Sequence, residues 1–219
     1  MTFKAVIFDL DGTLVDSAGE IQVALAGAFA ENGIEPLSKG DVERLIGRGV
    51  RSLVERGLAM RGNHADVEPV VQAFEAHYAR TVGTQASLFP ATLEGLRVLR
   101  AGGVRLAVVT NKPRTFTEAL LAKLGILELF AAVVAGDDGV ARKPAGDMLI
   151  AACERMGTVP HDTLMLGDSE TDVRAARAAG CRVWCMPYGY NEGRDPSTLD
   201  CDRIVATIEE AARHVVAAV

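Results

Sequence analysis

Val6-Ile7-Phe8-Asp9-Leu10-Asp11-Gly12-Thr13-Leu14, near the N-terminus, is the stretch on which the fold turns. A short apolar run rich in β-branched and aromatic residues reads as a strand buried on both faces. It ends abruptly in two carboxylates two residues apart, followed by a glycine, so the strand's carboxyl end holds Asp9 and Asp11. In an open α/β sheet that end is where ligands bind. Two acids this close repel each other unless a cation or a shared proton intervenes. Asp and Gly also favour turns, so the stretch alone does not separate a site from a strand end. The rest of the chain does.

Downstream the pattern alternates. Residues from about 17 to about 85 read as all helix. The apolar stripes are Ile21, Leu25, Ala28 and Phe29, then Val42, Leu45 and Ile46 behind a Ser38 cap. They continue through Val50, Leu53, Val54 and Leu58 to Val67, Val70, Val71, Phe74 and Tyr78. From Ser87 strands return. Val104 to Val109, Ala131 to Ala135, Thr163 to Leu166 and Arg182 to Met186 are separated by helical stripes that stop at Gly125, Gly157 and Gly180. A last helix carries Ile204, Val205, Ile208, Val215 and Val216. Short alternation of strand and helix predicts parallel strands with right-handed crossovers. The helical insert is too long for a loop and carries its own apolar faces. The expected architecture is an α/β, doubly wound, Rossmann-like parallel sheet with an inserted all-helical cap. The core domain is residues 1–16 and 86–219, the cap is 17–85, and the linkers lie near 14–18 and 83–90.

Parallel strands bring their carboxyl ends to one edge. The first supplies Asp9 and Asp11, the second Thr110 and Asn111, the loop after the third Lys143, and the fourth Asp168 with Asp172 four residues on. Several carboxylates, an ammonium and a hydroxyl in one crevice suit phosphoryl transfer. A hard cation such as Mg²⁺ takes one or two carboxylates plus water and phosphate, which Asp9 and Asp168 can supply. Lys143, Thr110 and backbone N–H groups at Leu10 to Thr13 or Asn111 could hold the phosphoryl oxygens. Asp9 as nucleophile gives an aspartyl phosphate, and Asp11 would protonate the leaving oxygen and then deprotonate water.

The chain has 219 residues and a formal charge of −6, with a pI near 5.3. A chain of this length buries roughly 70% of its extended surface and needs no disulfide or metal staple. The acidic balance argues against nucleic-acid and anionic-membrane partners and leaves room for a small phosphorylated metabolite. Cys153, Cys181, Cys185 and Cys201 form no C-x-x-C pair and read as small buried hydrophobes. No apolar run is long enough to span a bilayer, and the N-terminus does not read as a signal peptide, so a cytoplasmic monomer or homodimer is expected. His64, His77, His161 and His214 are dispersed, without ligand spacing. Gly47-Arg48-Gly49 breaks a helical stripe, and Arg48, or Arg51 three residues on, is a candidate partner for a substrate carboxylate.

These motifs resemble those of the haloacid dehalogenase superfamily of phosphohydrolases. Phe8-Asp9-Leu10-Asp11-Gly12-Thr13-Leu14 is similar to its first motif, D-x-D-G-T. Thr110, Lys143 and Gly167-Asp168-Ser169-Glu170-Thr171-Asp172 are similar to its second, third and fourth, in the family's order. The resemblance implies Asp9 as nucleophile and Asp11 as acid/base. It implies Mg²⁺ held by Asp9, Asp168 and the Asp11 backbone carbonyl with Asp172 in support, and Thr110 and Lys143 on the phosphoryl group. It also implies a C1-type cap and a strand order of 3-2-1-4-5. Within the family, Val109-Thr110-Asn111-Lys112-Pro113 and Tyr188-Gly189-Tyr190-Asn191-Glu192-Gly193-Arg194 are similar to stretches of the phosphoglycolate phosphatases. One departure is Gly146, where such chains often carry the second proline of K-P-x-P. The resemblance implies hydrolysis of a small phosphate monoester, most simply 2-phosphoglycolate. The alternatives are a phosphatase or phosphomutase for another small ester, such as a sugar phosphate or pyrophosphate, and, more remotely, a phospho-accepting signalling module.

Overall fold

The computed structural model describes residues 2–217. In chain order it contains β1 (Ala5–Phe8), β2 (Val15–Asp16), α1 (Ala18–Glu31), α2 (Lys39–Glu43), α3 (Val50–Met60), α4 (Val67–Thr81) and β3 (Ser87–Leu88). Next come α5 (Thr92–Ala101), β4 (Arg105–Val109), α6 (Arg114–Lys123), β5 (Ala132–Val134) and α7 (Asp147–Met156). The chain closes with β6 (Thr163–Gly167), α8 (Glu170–Ala179), β7 (Arg182–Cys185), β8 (Arg203–Ile204) and α9 (Ile208–Val216). Among these helices none is long and apolar enough to cross a membrane.

The main sheet runs β5-β4-β1-β6-β7-β8, all parallel. The five long strands take the expected order, with β8 added at one edge. β1 is the switch point: β4 lies on one side of it and β6 on the other. Both faces of β1 are covered, because successive side chains of a strand point to opposite faces. Val6 and Phe8 join the apolar cluster that holds Leu96, Leu99, Leu120, Ile208 and Val215. Ala5 and Ile7 join the other cluster, with Met148, Leu149, Ala152, Val173 and Ala176 from α7 and α8. Each fully buried Leu, Ile, Phe or Met side chain contributes roughly 1.5–3 kcal/mol of transfer free energy. The centre of the sheet is thus rigidly held, and the acids at its carboxyl edge inherit that rigidity.

Residues 18–81 contain helices only, and α1 packs along α4. Their apolar faces (Ile21, Leu25, Phe29, Leu53, Phe74) belong to the cluster that covers one face of the sheet. Two details differ from the sequence reading. The linkers near 14–18 and 83–90 are not free coil: β2 and β3 pair antiparallel there, Val15 opposite Leu88 and Asp16 opposite Ser87. The last helix begins at Ile208, not at Ile204. Arg203–Ile204 instead pairs with Trp184 and Cys185 of β7, because Thr207 caps α9 by accepting from the Glu210 N–H and so sets where helix can start.

Candidate active site

Asp9 comes directly after β1, and its backbone N–H donates to the Leu166 carbonyl at 2.9 Å, which keeps it in register with β6. Asp168 comes directly after β6. Asp172 sits in the first turn of α8. Asp9, Asp168 and Asp172 are buried and offer oxygens within 4.8 Å of one another. Lys143 reaches into this group: its Nζ donates to Asp9 Oδ1 and to Asp172 Oδ1, each at 2.7 Å.

Further donors fix each carboxylate. Asp172 Oδ2 accepts from Ser169 Oγ at 2.7 Å and from the Ser169 N–H at 3.1 Å, which ties it to the start of α8. Asp168 Oδ1 accepts from the Thr13 hydroxyl at 2.7 Å and Oδ2 from the Tyr190 N–H at 2.8 Å. The backbone comes this close only because two positions are glycine. A Cβ on Gly12, whose φ is +96°, would lie 2.6 Å from Asp168 Oδ2, and one on Gly189 would lie 2.2 Å from Asp168 Cβ.

The charge here does not balance. Three buried carboxylates face one ammonium, and the surroundings show the strain. Burial, with Asp172 and Asp168 adding to it, raises Asp9 well above the ordinary carboxylate range despite Lys143. Burial and then Asp172 push Asp168 up to about 6, against the hydrogen bonds from Thr13, Tyr190 and Asn191. Burial opposes the Lys143 ammonium, but Asp172 and Asp9 outweigh it and raise its pKa. A buried anionic cluster of hard oxygen donors is a chemical fit for a divalent cation.

Asp11 is turned away from this cluster. Its carboxylate accepts from Lys112 Nζ at 2.7 and 2.8 Å and from Ser17 Oγ at 2.6 Å. The Lys112 ammonium also lies 4.9 Å from the centre of the Tyr78 ring. Thr110 is buried, and its Oγ1 accepts from the Lys112 N–H at 3.2 Å. Asn111 Nδ2 bridges the two parts of the chain, donating to Gly47 O at 3.0 Å and to Lys143 O at 2.9 Å, while its Oδ1 is buried without a partner. Asp9, Asp11, Thr110, Asn111 and Lys112 form the floor of a cavity of about 50 Å³. Its roof is apolar and comes from the helical insert, including Leu45, Val50, Leu53, Phe74 and Tyr78. Tyr78 is held by its hydroxyl, which donates to the buried Glu20 at 2.8 Å.

Arg48 and Arg51, the residues singled out for a substrate carboxylate, do not line this cavity. Arg48 turns to Glu192, with Nε 2.5 Å from Oε1 and Nη2 3.0 Å from Oε2. Arg51 turns to Glu68 and Glu55 on the surface of the insert. Both side chains are about half exposed, at 50% and 55%. The turn at Gly47-Arg48-Gly49 brings glycine, not arginine, to the cavity wall. Sequence analysis assigns no site role to the side chains of Lys112, Thr13, Ser17, Tyr190 and Glu192. Lys112 was within reach, since it directly succeeds two residues at the carboxyl end of a parallel strand, where ligands bind. The others depend on a long loop folding back. Tyr190 Oη accepts from the Ser17 and Ala18 N–H groups at 2.9 and 3.0 Å and donates to Asp16 at 2.8 Å.

Comparison with known proteins points the same way. The profile of the haloacid dehalogenase-like hydrolases matches residues 6–186. The chain is 43% identical over 222 aligned residues to a phosphoglycolate phosphatase of Nitrosospira multiformis, covering 98% of this chain and 96% of that one. It is 38% identical to the phosphoglycolate phosphatase of Thiobacillus denitrificans, with the same coverage. Its fold is similar to the crystal structure of a predicted phosphoglycolate phosphatase from Haemophilus somnus 129pt, with a TM-score of 0.91, 28% identity and 98% of each chain covered.

Proposed function

The chain belongs to the haloacid dehalogenase-like hydrolases, and from that premise we propose that it is a phosphoric monoester hydrolase whose substrate is 2-phosphoglycolate. The observation that carries this reading is the buried set of Asp9, Asp168, Asp172 and Lys143, whose Asp9 also lines a cavity with an apolar roof. The buried charges suit a phosphoryl group with a cation. The names of the relatives at 43% and 38% identity support the same substrate.

In this reading residues 17–85 are a cap over a core formed by 1–16 and 86–219. Asp9, Asp168 and the Asp11 backbone carbonyl would hold Mg²⁺, and Asp172 would support them through Lys143 and Ser169. When bound, the cation neutralises charge on the phosphoryl oxygens and on the acids around them. Lys143, the Thr110 hydroxyl and the Asn111 N–H donate to the phosphoryl oxygens. A carboxylate oxygen of Asp9 attacks phosphorus, the bond from phosphorus to the glycolate oxygen breaks, and that oxygen takes a proton from Asp11. Water then attacks the aspartyl phosphate and gives its proton to Asp11. The bond from phosphorus to Asp9 breaks, and inorganic phosphate leaves.

A panel of small phosphate esters assayed with Mg²⁺ tests the proposal. Repeated turnover of 2-phosphoglycolate, with one phosphate released per glycolate, is expected. Asp9→Asn should lower kcat by roughly 10⁴-fold or more. Faster turnover of a sugar phosphate or pyrophosphate would overturn the substrate. Transfer of phosphate to a second hydroxyl would mark a mutase, and a single turnover per chain would mark a phospho-accepting module.

A further inference from the structure

Lys112 carries a charge that the proposed hydrolysis does not use. Its side chain is only 6% exposed, and its ammonium is shared between both oxygens of Asp11. An ammonium has three donors. The Asp11 carboxylate takes two, and the ammonium also lies against the face of Tyr78 at the cavity wall. Among the described residues that line the cavity, Lys112 is the one with a cationic side chain. The insert's arginines nearest in sequence are engaged elsewhere, Arg48 with Glu192 and Arg51 with Glu68.

A substrate that brings a carboxylate beneath this roof must find a partner for it. A buried carboxylate without a cation or hydrogen-bond donors is strongly disfavoured, and the side chains of Leu45, Val50, Leu53 and Phe74 offer none. Asp11 raises a matching requirement from the other side. Both of its oxygens are engaged, Oδ1 by Ser17 and Lys112 and Oδ2 by Lys112, whereas an acid/base must turn one of them to the leaving oxygen. We propose that Lys112 selects carboxylated substrates by exchanging partners: its ammonium leaves Asp11 for the substrate's carboxylate, and the exchange frees Asp11 to face the leaving oxygen. One carboxylate replaces another, so the ammonium stays paired throughout. The Tyr78 ring, fixed by Glu20 and stacked on Phe74 with centroids 5.5 Å apart, holds the ammonium in place during the exchange. A neutral ester of the same size has nothing to offer Lys112 and leaves Asp11 engaged. Discrimination therefore reaches kcat as well as KM.

The inference rests on 2-phosphoglycolate being the substrate, and the test separates the two. 2-Phosphoglycolate is compared with 2-hydroxyethyl phosphate, its uncharged-tail analogue, on the wild type and on Lys112→Met and Lys112→Arg. The wild type should prefer the acid. Lys112→Met should cut the ratio of the two kcat/KM values by about 100-fold, the scale of a lost charge-assisted pair, with kcat for the acid falling alongside a rise in KM. Lys112→Arg should restore part of the preference. The thermal shift on adding Mg²⁺ checks that each variant retains a folded cluster, and Lys112→Gln replaces any Lys112→Met protein that fails it. A wild type with no preference for the acid sinks the substrate assignment. A wild type that prefers the acid while Lys112→Met keeps that preference, or loses both esters in parallel, sinks the role of Lys112.

Discussion

Replacing Asp168 by Asn should make the metal-free protein less sensitive to pH while removing its response to Mg²⁺. Burial and Asp172 raise the Asp168 carboxyl from an ordinary 3.8 to about 6. A carboxyl whose folded pKa is raised gives stability that is fully present below its unfolded pKa and lost as pH rises through the folded one. At 1.36 kcal/mol per pKa unit, this residue withdraws about 3 kcal/mol in all, of which roughly 1 kcal/mol falls between pH 5 and 8. Asn carries no such charge. Asn can turn its Oδ1 to the Tyr190 N–H that now donates to Oδ2 and its N–H₂ to the Thr13 hydroxyl oxygen, and any remaining cost of the neutral amide does not vary with pH. The slope is therefore the quantity to compare, not the absolute stability. Asp9 is itself held up in part by Asp168, so losing that charge widens the difference. The assay is urea unfolding in EDTA at pH 5 and 8, monitored by fluorescence of the single tryptophan, Trp184. The wild type should lose at least about 1 kcal/mol more than the variant over that interval. With Mg²⁺ at about 100 times its dissociation constant the wild type should regain about 2.7 kcal/mol at pH 8, and the variant much less. Parallel slopes in EDTA, or equal Mg²⁺ gains, would refute the picture of an electrostatically strained, cation-seeking cluster.

Three other substitutions probe its surroundings. Glu20 is fully buried and accepts from the Tyr78 hydroxyl and from the N–H groups of Gly83 and Ala86; Glu20→Ala should cost about 3 kcal/mol or more, read by urea unfolding, because three donors lose their acceptor. Gly12→Ala puts a Cβ 2.6 Å from Asp168 Oδ2 at a φ of +96° and should lower kcat by roughly 100-fold and shrink the Mg²⁺ thermal shift, since a misplacement of about 1 Å costs that much. Arg48→Ala should change KM by less than about threefold, equally for 2-phosphoglycolate and its neutral analogue, because the side chain is half exposed and paired with Glu192; a selective rise for the acid would return Arg48 to the binding site.

By itself the sequence determined the sheet and the acids on it. Five short, largely apolar runs separated by helical stripes leave few arrangements open, since parallel strands share a direction and so share an edge. That reasoning brings Asp9, Thr110, Lys143 and Asp168 to one crevice before any coordinates are known. It is less exact at the ends of elements: Arg203–Ile204 became a strand because an edge of β7 lay open beside it, which no local pattern announces. Only the tertiary structure decided which way the side chains turn once there. Asp11 faces Lys112 rather than Asp9, Arg48 faces Glu192 rather than the cavity, and Tyr190 returns from a distant loop to Asp16 and Asp168. The physical reason is one of range. Periodicity records how a segment meets its immediate neighbours, whereas the partner of a charge is set by which opposite charges the finished fold brings within a few ångströms.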